Sequence, residues 1–145
     1  MSYRLRGGFT LIEILLVIVI ISILAAMVGP NIIGQGKGAK LSAARIDIET
    51  NLSTALDLYE LHNSRYPTTE QGLKALLEKP SSAPEPPNWQ GPYLKKKKMP
   101  KDPWKHDYVY SFPGAHNKEN YDLSSLGPDG VESGDDINNW EVDDK

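Results

Sequence analysis

Four carboxylates crowd into eight positions near the end of the chain. They are Asp129, Glu132, Asp135 and Asp136, in "LGPDGVESGDDINNW" over residues 126–140, with glycines between them. Crowded carboxylates repel one another, and a hard cation relieves that repulsion. Ca2+ takes roughly six to eight oxygens from carboxylates and backbone carbonyls in flexible loops. The spacing is not that of an EF-hand, so composition alone leaves a calcium loop and a solvated acidic turn equally open. A fifth acid, Glu13, has the opposite surroundings: it is the one charge between Phe9 and Val28. Such an acid either reaches polar headgroups from one end of a helix or meets a dedicated cation. Cutting after Gly8 would create one, the α-amine of Phe9. That amine is about one helical turn from Glu13 in the same chain and within reach of Glu13 on a neighbouring helix.

Little else in the chain could do chemistry. There is no Gly-x-Ser-x-Gly elbow, no His-Glu-x-x-His and no phosphate loop, and His62, His106 and His116 lack metal-like spacing. They read as packing or surface histidines. The Asp pair at 135–136 has no base, nucleophile or oxyanion donor beside it, so an enzyme is not expected. The absence of cysteine excludes disulfides and thiolate metal sites. A net charge of −3 argues against a nucleic-acid partner. That charge is segregated: residues 129–145 hold seven acids and one base, whereas residues 95–105 hold six lysines and one acid. The run Lys95–Lys98 reads most simply as a solvated patch, with the acidic tail of a neighbouring copy as a conceivable partner.

The elements that position these groups follow from periodicity. Twenty largely apolar helical residues span roughly 30 Å, the thickness of a bilayer core, so 9–28 are expected to form a retained transmembrane helix rather than a cleaved signal. Basic residues flank both ends, which leaves the orientation open. Pro30 is expected to interrupt the helix, and Gly34, Gly36 and Gly38 to weaken it. Helical spacing resumes with Leu41, Ala44, Ile48, Leu52, Ala55 and Tyr59, predicting an amphipathic helix that ends near Leu61. "YPTTEQGLKALLEKP" predicts a short capped helix. Seven prolines between Pro80 and Pro103 predict an irregular loop packed on Trp89 and Tyr93. "DYVYSF" and "NYDLSSL" around "PGAHNKE" predict a hairpin, with a last short strand in "INNWEV".

The basic leader ending in glycine, followed by "GFTLIEILLVIVIISILAAMVGP", resembles the N-terminus of type IV pilins and pseudopilins. The resemblance implies cleavage by a prepilin peptidase between Gly8 and Phe9, N-methylation of Phe9, and a role for Glu13 in assembly. "YPTTEQGLKAL", "GPYLKK", "PKDPW" and "YDLSSLGPDG…DDINNW" are similar to the major pseudopilins of type II secretion systems. The expected fold is therefore α+β and type IV pilin-like: a long N-terminal helix, transmembrane in its first half, packed on a small antiparallel sheet with a calcium-binding C-terminal loop. The expected division is a leader over 1–8, the helix over 9–61 and a periplasmic globular domain over 62–145.

The implied cofactor is Ca2+, held by carbonyls near Leu126 and Ser133 and by Asp129, Asp135 and Asp136, with Val131 as an alternative to Ser133. "WKHDYVY" departs from the family, which usually has a turn-like Gly-Asn after the tryptophan. The implied function is the major structural subunit of a filament that drives export of folded proteins across the outer membrane. The implied partners are further copies of the chain, minor pseudopilins, the prepilin peptidase, an inner-membrane assembly platform and an outer-membrane secretin, with the chain a single-pass inner-membrane protein. The rival readings are a type IV pilin for adhesion or DNA uptake and a membrane-anchored calcium-dependent binding module.

Overall fold

The computed structural model describes residues 9–141, with side chains undescribed over 27–35. Gly8 and the expected leader 1–8 lie outside the described residues. The chain divides into two compact units, Met1–Gly38 and Ala39–Lys145.

Helix α1 runs Leu11–Ile46. Thr10 caps it: the Glu13 N–H donates to the Thr10 carbonyl at 3.1 Å and to its hydroxyl at 3.3 Å. Glu13 thus occupies the first turn, where the exposed N–H groups of a helix favour a negative charge. Two expectations fail here. Pro30 lies within α1 instead of ending it; a proline removes one helical hydrogen bond, and the helix continues past that loss. The transmembrane first half, and with it the single-pass inner-membrane placement, is also overturned. Among the described residues no helix is long and apolar enough to cross a membrane. Glu13 stands in the first turn of this apolar stretch, and a carboxylate in a bilayer core costs about 2.5–3.5 kcal/mol.

In the second unit, a π-helical segment, Asp47–Leu52, leads into helix α2, Ser53–Asn63. Helix α2 ends at Asn63, two residues beyond the expected Leu61, and Ser64, at φ 56°, turns the chain out of the helix. The predicted stripe is the core. Ala44, Ile48, Leu52, Ala55 and Tyr59 are buried, while Leu41, at its start, stays 36% exposed. They pack with Leu73, Leu76, Tyr108, Tyr110, Tyr121, Leu123 and Ile137.

The predicted second helix is reduced to a 3-10 turn, Leu73–Leu76. Its cap forms as the residue types require: Gln71 N–H donates to the Thr68 hydroxyl at 3.2 Å, and Thr68 N–H donates to the Gln71 side-chain oxygen at 3.1 Å. Gly72, at φ 57°, then redirects the chain before a regular helix can start. The proline-rich loop is fixed by its aromatics, as expected. Trp89 Nε1–H donates to the Ala75 carbonyl at 2.9 Å, and the Tyr93 hydroxyl accepts from Gln90 N–H at 3.0 Å.

The sheet is antiparallel with order β1-β2-β3, from Val109–Ser111, Asp122–Ser125 and Ile137–Asn138. Tyr110 lies opposite Leu123, and Ser125 opposite Ile137. This is the α+β, pilin-like arrangement expected, without the membrane span.

Candidate functional site

β2 delivers the chain into the acidic loop, and β3 receives it. Gly127, at φ 63°, lets the loop close on itself: a Cβ there would stand 2.7 Å from the Asp135 carbonyl oxygen. Gly130, at φ 71°, does the same against a side chain, since a Cβ would meet the His106 ring at 2.9 Å. His106 Nδ1 lies 3.0 Å from the Gly127 carbonyl, so this imidazole braces the loop from outside.

Within the loop the predicted residues converge on Ser133. Its hydroxyl lies 3.2 Å from Asp129 Oδ2 and against Asp135 Oδ1, and its N–H donates to Asp136 Oδ2 at 3.3 Å. One hydroxyl carries one proton and cannot donate to two carboxylates at once. Asp136 Oδ1 is buried without a hydrogen-bond partner among the described residues. Burial pushes the Asp136 carboxyl up, the Ser133 N–H opposes this, and the charges of Asp135, Asp129 and Glu132 add to the rise.

The other expected ligand, the Leu126 carbonyl, accepts Gly130 N–H at 3.2 Å. Val131 is turned outward, and its N–H donates to Asp129 Oδ1 at 3.1 Å. Among the described residues no group of three or more His, Cys, Asp and Glu side chains is arranged to hold a metal ion. The three aspartates meet through Ser133 rather than around a shared centre.

Two buried acids missed by sequence reasoning hold this region together. Asp102 accepts Trp104 N–H at 3.0 Å, His106 N–H at 2.7 Å and the Ser125 hydroxyl at 2.7 Å. Asp122 accepts the N–H groups of His116 and Asn117 at 2.8 and 2.9 Å, fixing the hairpin tip. Both look like ordinary loop acids in the sequence; the one clue is a short run of donors nearby in the chain.

A helical stripe packed on a small antiparallel sheet and closed by an acidic loop is a pilin-like arrangement. Family models agree. Residues 31–141 match "Type II secretion system (T2SS), protein G", and residues 3–29 match the prokaryotic N-terminal methylation motif. The chain is 50% identical to the type II secretion system core protein G of Pectobacterium carotovorum, over 99% of this chain and 90% of that one. It is 47% identical to the Pseudomonas aeruginosa core protein G, over 97% and 99%. The crystal structure of the major pseudopilin of enterohaemorrhagic Escherichia coli superposes with a TM-score of 0.65 at 43% identity, covering 77% of this chain and 95% of that one. The chain belongs to the type II secretion system protein G family and is a major pseudopilin, a structural subunit and not an enzyme.

Proposed function

We propose that the chain is cut after Gly8, methylated at Phe9, and polymerised through its N-terminal helix into the filament that drives export of folded proteins across the outer membrane. The observation that carries this reading is the surface of residues 9–24. Phe9, Leu11, Ile12, Leu15, Leu16, Ile18 and Leu24 are all more than half exposed. An apolar surface of that extent calls for a cover, and identical helices side by side supply one. In such a bundle Glu13 would meet the Phe9 amine of the next copy. Minor pseudopilins, the prepilin peptidase, the inner-membrane assembly platform and the outer-membrane secretin are the proposed partners, and 1–8 is the proposed leader.

Mass spectrometry of the mature protein should give a chain starting at N-methylated Phe9. Glu13→Ala should still be cut but should lose most filament yield. Normal yield from that variant would exclude the pairing.

The acidic loop is proposed to bind Ca2+ through Asp129, Asp135, Asp136 and the carbonyls of Leu126 and Ser133. Three features support this: the donors are all oxygen, Asp136 Oδ1 is orphaned, and the Ser133 hydroxyl faces two carboxylates. A bound Ca2+ would supply the positive charge these oxygens share, with backbone carbonyls completing its shell.

A further inference from the structure

Away from the acidic loop, the unit 39–145 carries a groove of about 540 Å³ between the π-helical segment, α2 and the chain after Tyr93. Leu52, Ala55 and Leu58 form its apolar floor, and Lys95 and Lys96 stand on its rim. Leu58 is 41% exposed there. Lys95–Lys98 are all exposed, and the ion pairs of the described residues engage none of them. The one acid on the groove, Asp47, is already committed to the Tyr108 hydroxyl at 2.9 Å and the Asn51 amide at 2.6 Å.

The complementary shape is on the same chain. Val131 is 58% exposed at the tip of the acidic loop, between Asp129 and Glu132. Asp129 is tied to Val131 N–H and Ser133. Glu132 is exposed and accepts no hydrogen bond among the described residues. An apolar knob beside a free carboxylate matches an apolar groove edged by free ammonium groups.

We propose that Val131 of one copy seats in the Leu58 groove of a second copy, with Glu132 paired to Lys95 and Lys96. This rests on the reading of the chain as a filament subunit, and it names a contact between the exposed units in addition to the helix contact. Groove and knob are different patches, so each copy offers one and receives the other. A contact of that kind propagates from copy to copy instead of closing on itself. The proposed calcium ligands are left to the loop, and Glu132 carries the charge pairing.

The chain has no cysteine, which makes the test direct. Full-length chains carrying Val131→Cys and Leu58→Cys are co-assembled and oxidised. Disulfide-linked pairs are expected only when both substitutions are present, and a chain carrying both should give a ladder of higher species. Glu132→Lys should lower filament yield about tenfold through like-charge contact with the lysines, and adding Lys95→Glu with Lys96→Glu should restore most of it. Unchanged melting of each variant as free subunit separates these effects from misfolding. Filaments at normal yield, without the cross-link and without the charge effect, overturn this interface and leave the filament reading standing. Failure of the unsubstituted chain to form filaments overturns the filament reading and the interface with it.

Discussion

The ring of His116 lies parallel to that of Trp140, with centroids 4.2 Å apart and planes within 4°. His116 sits at the tip of the β1–β2 hairpin, and Trp140 lies two residues past the end of β3. The stack therefore joins the hairpin tip to the chain that leaves the acidic loop. Such ring pairs contribute about 0.5–1.5 kcal/mol beyond the area they bury. His116→Ala, Trp140→Ala and the double variant form a cycle whose coupling energy in denaturant titrations should fall in that range. Additive effects would mean the stack contributes nothing.

Asp122 should make the domain sensitive to acid. Burial raises its carboxyl, but the N–H groups of His116 and Asn117 and the His116 side chain outweigh this and hold it below the ordinary range. A carboxyl lowered by folding contributes stability that is present above its unfolded pKa and is lost as pH falls through its folded pKa. Melting temperature should thus fall on acidification below the usual carboxylate range. Asp122→Asn should melt lower at neutral pH, with a shallower acid slope. An unchanged slope would remove Asp122 as the cause.

Asp136 acts with the opposite sign. Burial is the main reason its carboxyl is raised, so its favourable contribution is complete below the unfolded pKa and is lost as pH rises through the folded value. In chelator, stability should decline over that window, and calcium should abolish the decline. A ligand at about 100 times its dissociation constant adds about 2.7 kcal/mol. Magnesium should do less, since it demands a tighter octahedral shell. Identical melts in calcium and chelator would show the loop to be a solvated turn.

Lys105 is a site for stabilisation. It holds φ at 76°, a left-handed conformation unfavourable for a lysine. The turn forms nonetheless because Asp102 holds it by accepting Trp104 and His106 N–H. Lys105→Gly should relieve the strain, less the entropy glycine adds to the unfolded chain, for a gain of about 0.5–1 kcal/mol. A lower melting temperature would show that the lysine side chain contributes more than its backbone costs.

The parts of this fold legible in the sequence are those set by periodicity. The stripe from Ala44 to Tyr59 and the hairpin of "DYVYSF" with "NYDLSSL" depend on spacing alone, and the structure keeps both. The short helix after Tyr66 was not legible: the Thr68–Gln71 cap forms as its residue types require, but Gly72 turns the chain at φ 57°. Pro30 misled in the other direction, since one lost hydrogen bond did not end α1. In the acidic loop, residue types picked out Asp129, Glu132, Asp135 and Asp136, while Ser133 entered only through the family resemblance. The brace from His106 depends on two glycine approaches that only three-dimensional closure creates.

Asp102 has a consequence for how the domain opens. Its carboxylate holds the 101–106 turn through two backbone N–H groups and the end of β2 through Ser125, and Ser125 in turn pairs with Ile137 of β3. Segments far apart in the chain therefore share one buried anchor. They should open as a single cooperative unit, so that the amides of Trp104, His106 and the β2–β3 ladder exchange with deuterium in concert, while the exposed Lys95–Lys98 segment exchanges early and alone.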